Sequence, residues 1–111
     1  MTQAFLKTWR VRGTTLNIVG HEVRVTRGVY VSEMSGPEFV EASGLHLPDS
    51  LNTFTASTLK TEMNSSHFDT TGRVVFPNGT IFSGDSGLRF HLEAIVDNPE
   101  SPWIRFYLRE V

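Results

Sequence analysis

Side chains that change character at every second residue recur along this chain, and they constrain its fold more than any other feature. In Glu22-Val23-Arg24-Val25-Thr26 the two valines share one side and the polar residues the other. Near the C-terminus Ile104, Phe106 and Leu108 alternate with Trp103, Arg105, Tyr107 and Arg109. A period of two is that of a β-strand, whose successive side chains point to opposite faces. Related runs are read at residues 4–12, 14–19, 29–32, 53–62, 66–76, 80–83 and 88–97. The last of these places Leu88, Phe90, Leu92, Ala94 and Val96 on one face.

Turn-forming residues separate the runs. Gly13, Gly20-His21, Arg27-Gly28, Asn64-Ser65 and Pro77-Asn78-Gly79 fall between them, with Gly72 interrupting 66–76. Asn-Gly suits the positive φ of a tight hairpin, so 80–83 is expected to pair back on 73–76. One segment departs from the pattern. Ser35 precedes Glu38 by the spacing of a capping box, Pro37 suits a first helical turn and Gly44 suits a C-terminal cap. A two-turn helix near 36–43 follows, expected to be held by packing of Phe39 and Val40. A further short helical turn fits Leu59 to Met63.

The expected architecture is mainly all-β: a small antiparallel barrel or sandwich of eight or nine strands with that one short helix, which could plug a barrel end. Closure is attractive at this size because it removes exposed strand edges. The 111 residues read as one domain, 1–111. A hydrophobic fraction of 39% with 20% charged residues fits a globular chain and is too apolar for a disordered one. The chain has no cysteine, which excludes disulfides and thiolate metal sites. No apolar stretch approaches the roughly 20 residues of a membrane span, and no export signal is recognised, so the expected location is cytoplasmic.

Gly84-Asp85-Ser86-Gly87 resembles the segment that carries the nucleophilic serine of chymotrypsin-like proteases. The resemblance covers four residues. Leu88 stands where that family has a further glycine, and no alanine–histidine–cysteine segment surrounds any histidine. Gly, Asp and Ser are also what a β-turn selects, so the stretch is read as a turn that sets the register of the strand at Leu88. No residue is assigned a catalytic role. No phosphate-loop or dinucleotide fingerprint occurs, and no cofactor is implied. His67 with Asp69, and His91 with Glu93, each put two polar groups on one strand face, but a metal site needs a third ligand from elsewhere and none is assigned.

The residues singled out are aromatic and basic. Trp9 lies beside Arg10 and Arg12, and Trp103, Arg105, Tyr107 and Arg109 share a strand face. Arginine outnumbers lysine eight to two. An isoelectric point near 6.0 argues against a nucleic-acid binder, which is usually basic over its domain. Trp, Tyr and Arg are enriched in interface hot spots. If Ile104, Phe106 and Leu108 face the core, Trp9, Arg10, Arg12, Trp103, Arg105, Tyr107 and Arg109 form a binding surface, and Glu38 and Glu41 offer a complementary one. The expectation is a non-catalytic binding or assembly module in a homo-oligomer or with a protein partner. The alternative reverses the faces: Trp103 and Tyr107 line a cavity with Thr55, Ser57, His67, Asp69 and His91. Such a barrel would bind a small apolar ligand, with cyclase- or isomerase-type activity.

Overall fold

The computed structural model describes residues 14–49, 51–77, 79–84 and 87–111. Six antiparallel strands close into a barrel: β1 (Thr14–Ile18), β2 (His21–Tyr30), β3 (Thr53–Leu59), β4 (Ile81–Ser83), β5 (Arg89–Asp97) and β6 (Trp103–Glu110). The order around the barrel is β1-β2-β3-β6-β5-β4, and β4 returns to β1 through Asn17↔Ser83 and Ile18↔Phe82. The helix α1 (Gly36–Ser43) lies between β2 and β3 in sequence.

Among the described residues, fewer strands form than the alternation suggests. Residues 22–26 and 29–32 are not two strands; β2 runs through to Tyr30, with a register shift between Arg27 and Tyr30, before a 3-10 turn at Val31–Glu33. Residues 66–76 are not a strand either. They begin in a 3-10 turn at Ser65–His67, then double back with a single bridge, Phe68↔Val74. The Asp69 carboxylate fixes that reversal by accepting from the Thr71 and Arg73 amides and the Thr71 hydroxyl. The pairing of 80–83 with 73–76 is likewise replaced, since β4 pairs with β5. The run at 4–12 lies outside the described residues.

The interior is filled by the apolar face of each strand. Ile18, Val23, Phe82, Leu92, Ile104, Phe106 and Leu108 are wholly inaccessible. Phe82 and Phe106 meet edge to face at 5.1 Å, and Phe76 packs against both. Such aromatic pairs add to area burial because ring edges are positive and ring faces negative.

β5 departs from simple alternation. Leu92 pairs with Leu108 and Ala94 with Tyr107, so Glu93 is an extra residue, a β-bulge. The expected single apolar face of β5 is therefore split. Phe90, Leu92 and Ile95 pack into the barrel, while Ala94 and Val96 turn outwards. There they meet Tyr107, Val31, Ala42, Met34, Leu45 and Leu47 in a second apolar cluster. α1 thus lies on the outer wall and does not plug an end. Ala42 seats it, whereas Phe39 and Val40 are 55% and 69% exposed, the opposite of the expected helix orientation. Ser35 is the N-cap, but its side chain makes no capping hydrogen bond. A capping box forms instead at Asn64 and His67.

The β1–β2 hairpin turns on Val19 and Gly20, with φ of 49° and 83°. Two successive positive φ values suit a tight two-residue hairpin and are ordinarily taken by Asn-Gly. A β-branched residue there is strained. Val19 is 66% exposed, so no packing offsets the strain. Val19→Asn is expected to raise stability by about 1 kcal/mol, read as a higher urea midpoint with unchanged slope. An unchanged midpoint would mean that the turn relaxes without cost.

Candidate functional site

β6 sorts its residues as the core-facing assignment requires. Ile104, Phe106 and Leu108 enter the barrel; Trp103, Arg105, Tyr107 and Arg109 stand on the outer wall. They do not form one open stripe, because α1 lies across it. Tyr107 is wholly buried beneath the helix. Its hydroxyl donates to Glu41 Oε2 at 2.6 Å, and Arg105 Nη1 donates to the same oxygen at 2.6 Å. Glu41 is thus engaged within the chain, by groups 64 and 66 residues away in sequence. Burial and the Glu41 carboxylate push the Tyr107 hydroxyl up to about 12, with Arg105 pulling the other way. Burial also disfavours the Arg105 cation, but Glu41 and Tyr107 more than offset this and raise its pKa.

Two clefts flank this clamp on one side of α1. The larger, about 370 Å³, is walled by Trp103 and Arg105, with Glu41, Ser57, Asn98 and Ser101 as polar lining. The second, about 230 Å³, continues past Ser57 and Arg105 to Glu38, Met34, Val29 and Gly28. Gly28 is required there by close approach: a Cβ would stand 1.9 Å from Thr55 Oγ1. On the other side of α1 a cleft of about 340 Å³ lies between Phe39, Ala42, Val31, Met34 and Leu47. The helix is therefore a ridge with a groove on either side. Both grooves are mixed, since Ser32, Ser43 and His46 line the one with Phe39.

The remaining candidate residues fall elsewhere. Arg109 lies towards the far end of β6, where its Nε donates to Glu93 Oε1 at 2.8 Å, and His91 Nδ1 lies 3.3 Å from the same oxygen. Asp69 is exposed in its turn, and its hydrogen bonds to Thr71 and Arg73 lower its pKa. His67 is buried at one barrel mouth. His67, Asp69 and His91 are not gathered around one cavity, and Tyr107 does not line the interior. Trp9, Arg10, Arg12 and Ser86 lie outside the described residues. No cluster of metal-ligating side chains occurs among the described residues. No described helix is long and apolar enough to cross a membrane.

Asn98 and Ser101 belong to the Trp103 cleft, and sequence reasoning misses both. The only signal for them is position, in the NPESP connection next to Trp103. No protein-family model, curated protein or solved structure matches this chain.

Proposed function

We propose that this chain is a non-catalytic binding module that assembles with a protein partner, foremost a second copy of itself, through the face organised by α1. One observation carries the reading. With the barrel interior filled, exposed apolar groups gather around this helix: Phe39 and Val40 on its ridge, and Val29 beside it at 43% exposure. Trp103 walls the neighbouring cleft. Among the described residues, the other large exposed apolar side chains, Val19, Leu51, Val75, Leu88 and Val111, sit singly in turns, connections and at the C-terminus. Contiguous apolar patches rimmed by polar residues mark interaction surfaces, whereas scattered ones do not.

Charge favours a second copy as the occupant. The rim of the ridge is acidic, with Glu33 and Glu38 exposed, while Arg24, Arg73 and Arg89 are exposed on other elements of the barrel. Rim charges of opposite sign steer association and fix register more than they add affinity. The test is mass in solution, by light scattering behind size exclusion over a range of concentrations. The wild-type chain should exceed its 12.5 kDa monomer mass. Phe39→Glu with Val40→Glu should return it to monomer and leave the far-ultraviolet circular dichroism spectrum unchanged, since both residues are exposed within one chain. A wild-type chain that stays monomeric at every concentration overturns self-association.

A second reading, a small ligand held beside Trp103, has one observation in its favour. The cleft is of ligand size and joins an aromatic wall to fixed polar groups. A small molecule that shifts tryptophan emission without changing the mass would favour it.

A further inference from the structure

Residues 60–76 form a strap across one barrel mouth, the end where β1 and β3 finish and β2 and β6 begin. Met63 is buried in the core, and Phe68, Val74 and Phe76 pack against it. Two attachments hold the strap. At one, Asp97 Oδ2 accepts the Val74 amide at 3.1 Å, with Lys60 Nζ 3.1 Å from Oδ1. At the other, the His67 ring is 2% exposed and both its nitrogens are in use. Nδ1 accepts the Asn64 amide at 3.1 Å, and Nε2 lies 3.2 Å from the Ile18 carbonyl of β1.

These partners fix the protonation state. A backbone N–H can only donate, so Nδ1 must carry a lone pair; a carbonyl can only accept, so Nε2 must carry the hydrogen. The ring is therefore neutral, and the latch exists only in that form. A proton added at Nδ1 would point at the Asn64 N–H and would leave that amide unpaired. The surroundings oppose the charge as well. β2 brings His21 to 5.6 Å, and the strap itself brings Phe76 to 5.1 Å. His21 is the titratable side chain among these neighbours, and a positive charge on it would oppose a second on His67. Of the strap's charged groups, Asp69 is engaged with Thr71 and Arg73, Lys60 with Asp97 and Arg73 with the Asp97 carbonyl, while Glu62 lies in the 3-10 turn Lys60–Glu62. Burial pushes His67 below the ordinary histidine range; the Ile18 carbonyl works against that shift and His21 adds to it.

We propose that His67 is an acid-sensitive latch: protonating its ring releases the 60–76 strap from β1 and uncovers the core rings on which Phe76 packs, Phe82 and Phe106. The direction follows from linkage. The folded-state pKa lies below the unfolded value, so the latch stabilises fully above about pH 6.5 and is lost as pH falls through the lowered value. The opening is local, because β1–β2 and β3–β6–β5 pairing does not depend on the imidazole.

Hydrogen exchange by mass spectrometry at pH 7.5 and pH 5, corrected for the intrinsic rate, tests this on the whole chain. In the wild type, protection of 60–76 should fall at least tenfold more than that of β3 and β6. In His67→Gln, whose side chain does not titrate, the difference between the two pH values should vanish. Equal loss across the barrel, or the same strap-specific loss in His67→Gln, overturns the proposal. Should that variant not fold, imidazole ¹⁵N shifts of the wild type decide it. A ring with its proton on Nε2 at pH 7.5, whose titration moves the Asn64 amide, supports the latch; a ring that titrates near pH 6.5 without moving that amide overturns it.

Discussion

Phe106→Ala is expected to lower the unfolding free energy by about 3–5 kcal/mol, the scale set by emptying an aromatic site in a packed core. Phe106 is wholly inaccessible and touches two other rings of the core, Phe82 and Phe76. The loss has two parts: the transfer free energy of the ring, and the contacts its neighbours forfeit across the cavity left behind. In a barrel this small the wall cannot collapse inwards without breaking ladder hydrogen bonds, so little of the cavity closes. Thermal unfolding would show the effect as a drop on the order of 15 °C. Leu88→Ala is the control. Leu88 is also apolar but 46% exposed, and its removal should stay within about 0.5 kcal/mol. Equal effects at the two positions would refute the assignment of faces on β6.

Glu41→Ala is the second substitution with a large expected effect. It leaves the Tyr107 hydroxyl, fully buried under α1, without its acceptor, at a cost of about 1–3 kcal/mol. Arg105 also loses its partner, but that group is 38% exposed and water replaces much of what is lost. The loss should appear first as detachment of α1 from the wall, read by hydrogen exchange over residues 36–47. Alkaline titration gives an independent measure. Tyrosine with a folded pKa near 12, against 10.0 unfolded, contributes stability that is present below pH 10 and lost as pH rises towards 12. In Glu41→Gln the carboxylate charge that opposes ionisation is gone, so the pKa falls and the alkaline loss shrinks; burial keeps part of the elevation. Phenolate absorbance in a Tyr30→Phe background reports this group alone.

The sequence makes some of this arrangement readable, and the boundary is physical. Strand faces in β2 and β6 follow from alternation because each strand is long enough to show several periods. The bounds of α1 follow from Ser35, Pro37 and Gly44, even though the Ser35 side chain forms no cap. Its orientation does not follow. Two turns offer Phe39, Val40 and Ala42 as rival apolar contacts, and the wall takes the smallest of them, Ala42, because Tyr107 already fills the seat. The alternation of 66–76 is overridden by Asp69, whose side chain supplies the backbone partners that a neighbouring strand would have supplied. The Glu41–Arg105–Tyr107 clamp joins residues more than sixty positions apart, and no local pattern encodes such a meeting. His67 stands out in the sequence for its chemistry, and the chemistry it has is that of a fastener at the barrel mouth.

The bulge at Glu93 sets the parity of everything that follows it in β5. Before it, even-numbered residues look inwards; after it, odd-numbered ones do. One strand therefore lines the core with its first half and paves the seat of α1 with its second. Were Glu93 to take an ordinary place in the ladder, alternation would run on unbroken, swing Ala94 and Val96 towards the axis, and erase the helix's footing. The exposed ridge of Phe39 and Val40 thus depends, through one extra residue in the wall beneath it, on a miscount that the barrel preserves.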